Sequence, residues 1–409
     1  LSRRFLPVLT LCLLLLPASS VLDEADGCND ERPMTVMGRG GLLAGPYLVG
    51  ATPTGITIRW EYMGEVDSAV TWQSPDKIVT TVEGEMMQPF PPLVGLPGRI
   101  YEVRLADLRP CTTYRYRLEP RDRRGFPYHF RTPPEDGHRC LEGTRFVVYG
   151  GTRTRHMEHI LGVLTLSNTA PHYLINLGNI IYKATRVCEW HKFFSVEKEL
   201  LPLRPISMIP GIHEGYKDPP FGAAMLRRFF QDGVFGGVGH YAFTRGMVHF
   251  TMLDVYWGEE LAPGHPGYEW LDRTLRSVPM GRYKFVMIHE PPMTLGPDAP
   301  FRHGKALMEL FSRHRVHVVC SARSQIYEHF KVGNTHYLML GGMGAPPQKP
   351  RATHNPEATA ALVKTGAFPH FLLVEEGGMD HLLLKVVDAK EGKPLEQWKL
   401  PIDLWIPVS

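Results

Sequence analysis

From residue 146 onward the chain repeats one pattern: an unbroken apolar run, a polar loop often carrying Gly or Pro, then a stretch with helical spacing. The runs cover residues 146–149, 172–177, 206–209, 284–288 and 316–320. A strand that is apolar at every position must be covered on both faces, the condition of a parallel strand inside an α/β sheet. Helices are expected between these runs over 156–166, 190–201, 269–277 and 305–313. Segments 241–243 with 248–254, then 335–340 and 371–374 with 381–387, read as later strand pairs, so the expected architecture is a two-sheet α/β sandwich. Chemistry in such sheets sits at the carboxyl ends of the strands. That singles out five loops, which begin at Gly150, Gly178, Pro210, His289 and Ser321.

Before residue 135 the period is different. Ile56-Thr57-Ile58-Arg59-Trp60 alternates with period two, and 69–73, 78–83 and 101–105 are further short strands. The pattern Leu108-x-Pro110-x-Thr112-x-Tyr114 resembles the fibronectin type III domain, in which Tyr114 would be a tyrosine corner. The expected order is therefore an N-terminal all-β sandwich, fibronectin type III-like, over 45–134, followed by the α/β two-sheet sandwich over 144–400.

The first 20 residues read as a signal peptide: Arg3-Arg4, an apolar core of 13 residues over 5–17, then Ala18-Ser19-Ser20. Such a core is too short for the ~20 residues that span a bilayer. Residues 21–44 read as a linker, and the expected location is secreted or periplasmic, with no membrane association once the signal is removed. Five cysteines then remain, and an odd number leaves one without an intrachain partner. Cys111–Cys140 is the expected pair, because both border the last strands of the first unit. A net charge of +3 without a dense Lys/Arg run gives no reason to expect a nucleic-acid partner. The sequence names no protein partner.

The five loops, in order, resemble the motifs of the calcineurin-like metallophosphoesterase superfamily, in its purple acid phosphatase-like branch. Landmarks outside the loops agree, among them Trp190 with Phe193-Phe194, Tyr241-Ala242-Phe243, Leu253-Asp254, Ile326-Tyr327-Glu328 and Gly341-Gly342-Met343-Gly344. The resemblance implies a metallophosphoesterase domain holding two metal ions that activate a hydroxide on a phosphate ester. It also implies the ligand positions, and most of them are altered. Gly151 stands at the first Asp, Asn179 at the bridging Asp, Ile212 at the Asn, and Arg323 and Gln325 at two His. Tyr182 and His289 are retained, as is His213, the implied proton donor.

Gly and Ile side chains have no donor atom, and Asn cannot share negative charge between two cations. Arg323 would put a charge that cannot titrate away where an ion should sit. A unit pair at 4 Å costs roughly 4 kcal/mol at an effective dielectric of 20, and a divalent ion doubles it. His156 and His159, three apart on the following helix, could substitute as ligands, though a solvated helix face is their expected role; His191, His240 and His249 are read as structural. The expectation is thus a dismantled dinuclear site with no cofactor, in a catalytically inactive pseudophosphatase. Its pocket, neutral to cationic, would hold a phosphate-like small anion through Arg153, Arg323, His213 and His289. The alternative is a metal-dependent phosphatase of the acid phosphatase type, with one or two Fe, Zn or Mn ions on reduced or substitute ligands.

Overall fold

The computed structural model describes residues 41–402 apart from 89–92, 97, 121, 123–124, 154–155, 216–218, 231–238, 351–354 and 379. The expected signal peptide, Cys12, Cys28 and most of the expected linker lie outside the described residues. The first unit contains β1 (Leu42–Thr52), β2 (Gly55–Met63), β3 (Ala69–Gln73), β4 (Val79–Glu83), β5 (Glu85–Met86), β6 (Gly98–Leu105), β7 (Thr113–Glu119) and β8 (Tyr128–Arg131). They form two four-stranded antiparallel sheets, β1-β2-β6-β5 and β4-β3-β7-β8. β1 starts three residues inside the segment read as linker, because Leu42, Leu43 and Ala44 are buried. Trp60, Ile58, Val103, Tyr116 and Phe130 fill the space between the sheets. The Tyr114 hydroxyl accepts from the Arg109 N–H at 2.8 Å, as a tyrosine corner requires.

The second unit runs β9 (Arg145–Tyr149), α1 (His156–Asn168), β10 (Tyr173–Asn176), α2 (Val187–Val196), β11 (Ile206–Met208), α3 (Ile212–Gly215) and α4 (Pro219–Phe230). It continues through β12 (Tyr241–Arg245), β13 (Val248–Leu253), α5 (Pro266–Ser277), β14 (Tyr283–Ile288), α6 (Gly304–Arg313) and β15 (Val318–Ser321). It closes with β16 (Tyr327–Val332), β17 (Thr335–Leu340), α7 (Pro356–Ala361), β18 (Leu362–Gly366), β19 (His370–Glu376), β20 (His381–Asp388) and β21 (Pro394–Pro401).

Two mixed sheets result, of six strands (β11-β10-β9-β19-β20-β21) and seven (β12-β13-β14-β15-β17-β16-β18). Phe146, Val148 and Ile175 from one sheet meet Phe250, Phe285 and Met287 from the other. The intervening residues Val147, Tyr149 and Leu174 turn outward under Phe193 and Phe194 of α2. Val286 and Ile288 turn outward under Leu271 and Leu307 of α5 and α6. Both faces of each central strand are therefore covered, which is why those runs carry no polar alternation. Among the described residues no helix is long and apolar enough to cross a membrane.

The two units share a buried polar seam. Glu61 accepts from His191 at 2.8 Å and from Arg228 at 2.5 Å, and Arg59 binds Glu102 and the Phe229 carbonyl. The Tyr116 hydroxyl donates to the Pro202 carbonyl at 2.7 Å. Cys111 and Cys140 form the expected disulfide, Cys188 is also disulfide-bonded, and Cys320 is a free, buried thiol.

Candidate functional site

The five loops meet at the carboxyl ends of β9, β10, β11, β14 and β15. His289 ties the two sheets together there: its Nδ1–H donates to the Leu177 carbonyl at 2.6 Å. A carbonyl can only accept, so in the neutral ring the lone pair is on Nε2. That Nε2 is buried and has no hydrogen-bond partner among the described residues. Burial is the main reason the imidazole is held down to about 3, with Arg323, Arg153 and His213 adding repulsion. His213 is held down to about 4, first by burial and then by Arg153 and Arg323. Its Nδ1–H donates to the Tyr182 carbonyl at 2.8 Å. At neutral pH neither histidine carries charge.

Loop 178–182 is organised by a residue to which the sequence reading gave no role. The fully buried Glu214 carboxylate accepts from the N–H groups of Gly211 (2.6 Å), Asn179 (2.9 Å), Ile180 (2.9 Å) and Ile181 (3.3 Å). Burial pushes its pKa up and these hydrogen bonds oppose the shift. Asn179, at φ +60°, turns its Oδ1 to the His213 N–H at 3.2 Å, so that oxygen is already engaged. Its Nδ2 is buried and has no partner among the described residues. Tyr182 lies at the rim, 55% exposed, with its ring 5.0 Å from that of His213.

Gly151 is closed to any larger residue. Its φ of +69° lies in the left-handed region, and an added Cβ would sit well inside 3.0 Å of the Gly341 carbonyl oxygen. The Ala345 N–H bonds the Gly151 carbonyl at 2.8 Å and the Met343 N–H bonds that of Gly150 at 3.2 Å, which seals the first loop against the 341–345 turn. Gly151→Asp is therefore expected to destabilise by about 3 kcal/mol or more rather than restore a ligand. A thermal melt of the variant checks this; an unchanged Tm with new metal binding contradicts it.

Arg323 is not a free cation. Its Nε lies 3.4 Å from Glu290 and its Nη2 3.4 Å from Asp298. Tyr256 donates to Glu290 at 2.5 Å and Ser324 to Asp298 at 2.7 Å. Gln325 donates from Nε2 to the Arg323 carbonyl at 3.3 Å. Arg153 lowers the proton affinity of both histidines, and its buried Nη1 has no partner among the described residues. Counted formally, two arginines stand against three carboxylates, Glu290, Asp298 and Glu214, and the histidines add nothing, so the pocket is about −1 where a neutral to cationic one was expected, although burial raises the Glu214 and Glu290 carboxyls.

The residues present do not fit a dinuclear metal centre. Gly151 and Ile212 supply no donor, Asn179 Oδ1 is engaged, Arg323 is cationic, and the aza nitrogens left at the site are Nε2 of His289, buried without a hydrogen-bond partner among the described residues, and Nε2 of His213, whose Nδ1–H is likewise taken by a carbonyl. Among the described residues no group of three His, Cys, Asp or Glu could hold a metal ion. Nor does His159 come forward as a substitute. It is buried, not on a solvated face, with Nε2 2.9 Å from Glu197, which also accepts from the Tyr149 hydroxyl at 2.8 Å. The side chain of His156 lies outside the described residues. His191 is taken by Glu61 (2.8 Å), His240 by the Glu259 carbonyl (2.7 Å) and His249 by Thr244 (3.0 Å). Asp254 is structural too: it accepts from the N–H groups of Gly239, Tyr256 and Trp257.

No protein-family model matches the sequence. The chain is 24% identical over 276 residues to purple acid phosphatase 15 of Arabidopsis thaliana, covering 59% of this chain and 52% of that protein. It thus spans about half the length of the curated relative. Among solved structures it resembles purple acid phosphatase PPD1 from yellow lupin (Lupinus luteus) seeds, with a TM-score of 0.73 and 16% identity, covering 87% of this chain and 74% of that one. It also resembles PhoD, with a TM-score of 0.62 and 10% identity over 88% of both chains. In sequence the chain is thus similar to a purple acid phosphatase, and in fold it is purple acid phosphatase-like, with most of the metal-ligand positions implied by that resemblance altered.

Proposed function

We propose that this is an exported, non-hydrolytic phosphoesterase-fold protein with a fibronectin type III-like first domain, and that its strand-end pocket takes a phosphate-like anion without metal. The observation that carries the reading is Arg323: a guanidinium stands at a position where the superfamily places a metal ligand, clamped between Glu290 and Asp298. A divalent ion beside it would have to displace those carboxylates or bear the repulsion. Asn179 Nδ2, Arg153 Nη1 and His289 Nε2 are among the buried polar atoms at the site that have no hydrogen-bond partner among the described residues. Two of them donate to an anionic oxygen, and the histidine accepts from a protonated one.

A second reading, a phosphatase on reduced or substitute ligands, draws support from the free lone pair of His289. One pair of assays separates the two. EDTA-treated protein is expected to show heat of binding with inorganic phosphate, weakened at least about tenfold by Arg153→Gln. The same protein, supplied with iron, zinc or manganese, is expected to show no turnover of an aryl phosphate between about pH 4 and 8. Turnover abolished by His289→Ala in a folded variant favours the second reading. Absence of phosphate heat removes the anion from the first.

A further inference from the structure

A second cluster of charge lies at the opposite, amino-terminal edge of the six-stranded sheet. Arg145 opens β9, His172 immediately precedes β10, and Arg204-Pro205 immediately precedes β11. These three strands are parallel neighbours, so their starts lie side by side. Arg145 and His172 are joined by the Arg145 N–H on His172 Nδ1 at 3.1 Å and by the His172 N–H on the Arg145 carbonyl at 2.8 Å. With about 4.8 Å between strands, the row spans on the order of 10 Å.

The first unit supplies a facing wall. In β7 and β8, Arg115 pairs with His129 and Thr113 with Arg131. Tyr114, Tyr116 and Phe130 point into the sandwich core, so Arg115, His129 and Arg131 occupy the opposite face. Arg131 and His172 line one small cavity between the units. The walls also act on each other electrostatically. Burial, then Arg131, Arg145 and Arg204, hold His172 down to about 4, and burial, then Arg204 and Arg115, lower His129.

Little on the protein answers this charge. Glu142 accepts from Arg131 at 2.7 Å but is 79% exposed. Glu375, opposite Arg145 in the strand register, is held by Lys385. Arg204 donates to the carbonyl of its own neighbour Leu203. Arg131 and His172 thus line the cavity between the units, and Arg145, Arg204, Arg115 and His129 stand on the two walls beside it; among the described residues one exposed carboxylate, Glu142, is shown in contact with the group. Bringing like charges together costs free energy that a bound anion recovers.

We propose that this interdomain cleft is a second binding site, for an oligoanion with closely spaced phosphate or sulfate groups. The row carries an arginine at each end, Arg204 and Arg145, so it can meet two such groups, and a single small anion would meet one end of it. The test is calorimetry on the full chain with inorganic triphosphate and with a heparin-derived hexasaccharide, at low and moderate salt. At least one probe is expected to bind, with log K falling against log salt at a slope of about −2 or steeper. Arg145→Gln with Arg204→Gln is expected to weaken binding at least tenfold, while Arg313→Gln, on distant α6, leaves it unchanged. If the double variant melts early, the exposed pair Arg115→Gln and His129→Gln carries the test, with an expected loss of about threefold or more. Binding of the triphosphate alone assigns a phosphate source, and binding of the hexasaccharide alone a sulfated glycan. Binding of neither probe, full binding by the cleft variants, or an equal loss in Arg313→Gln overturns the assignment.

Discussion

Glu214→Ala is expected to cost at least about 4 kcal/mol of stability, or to prevent folding. The carboxylate is fully buried and accepts from four backbone N–H groups that belong to two different loops. Each buried donor left without a partner costs about 1–3 kcal/mol, and water entering the cavity recovers only part of that. Glu214→Gln keeps the shape and one oxygen but turns an NH2 toward N–H donors, so a smaller loss of about 2 kcal/mol is expected. Urea unfolding followed by tryptophan fluorescence measures both. A shift under about 1 kcal/mol in the alanine variant contradicts this role for Glu214.

That role was not legible in the sequence. Glu214 follows His213 in a motif recognised for its chemistry, and nothing local shows that it closes on residues 179–181, more than thirty positions earlier. The central strands were legible because burial on both faces leaves unbroken apolar runs. Strands β16, β18 and β21 were not read as strands; β18 and β21 lie at sheet edges and are partly exposed, so they lack that signature. α4 was not read as a helix either; it opens on Pro219-Pro220, and Pro suits the first turn of a helix. The departures from the ligand pattern that the resemblance implies were readable residue by residue. What replaced them was not: the carboxylates that hold Arg323 lie on a different loop, at Glu290 and Asp298. The supposed solvated face at His159 failed for a related reason, since its partner Glu197 is 38 residues away.

Acid is expected to weaken the fold, most clearly below about pH 4.5. His289 is fully buried and held down to about 3, so it is neutral in the fold and protonates once unfolded. Its stabilising contribution is complete above the unfolded value of 6.5 and is lost as pH falls toward the folded value. Two pH units below 6.5, that one residue accounts for about 3 kcal/mol. His172, His213, His249 and His336 are each held down to about 4, with burial the leading cause, and act in the same direction. They are less deeply buried, so solvent screens part of each effect. Glu214, Glu290, Glu328 and Glu376 oppose them. Burial raises these carboxyls, so they favour the fold as pH falls through their own values. The carboxyls act between 4.5 and their raised values and the histidines below 6.5, so the two oppose each other above 4.5 and the histidines prevail below it. Tm measured at about pH 4.5, 4.0 and 3.5 is expected to fall step by step. A Tm that rises over that range contradicts neutral buried histidines.

The central claim is that Gly151, Asn179, Ile212, Arg323 and Gln325 together abolish the dinuclear site. Metal analysis by plasma mass spectrometry tests it most directly, on protein expressed and dialysed with iron, zinc and manganese present. The expected content is below about 0.1 ion per chain, unchanged by His289→Ala. One or two ions per chain, lost on His289→Ala with the fold intact, would contradict it.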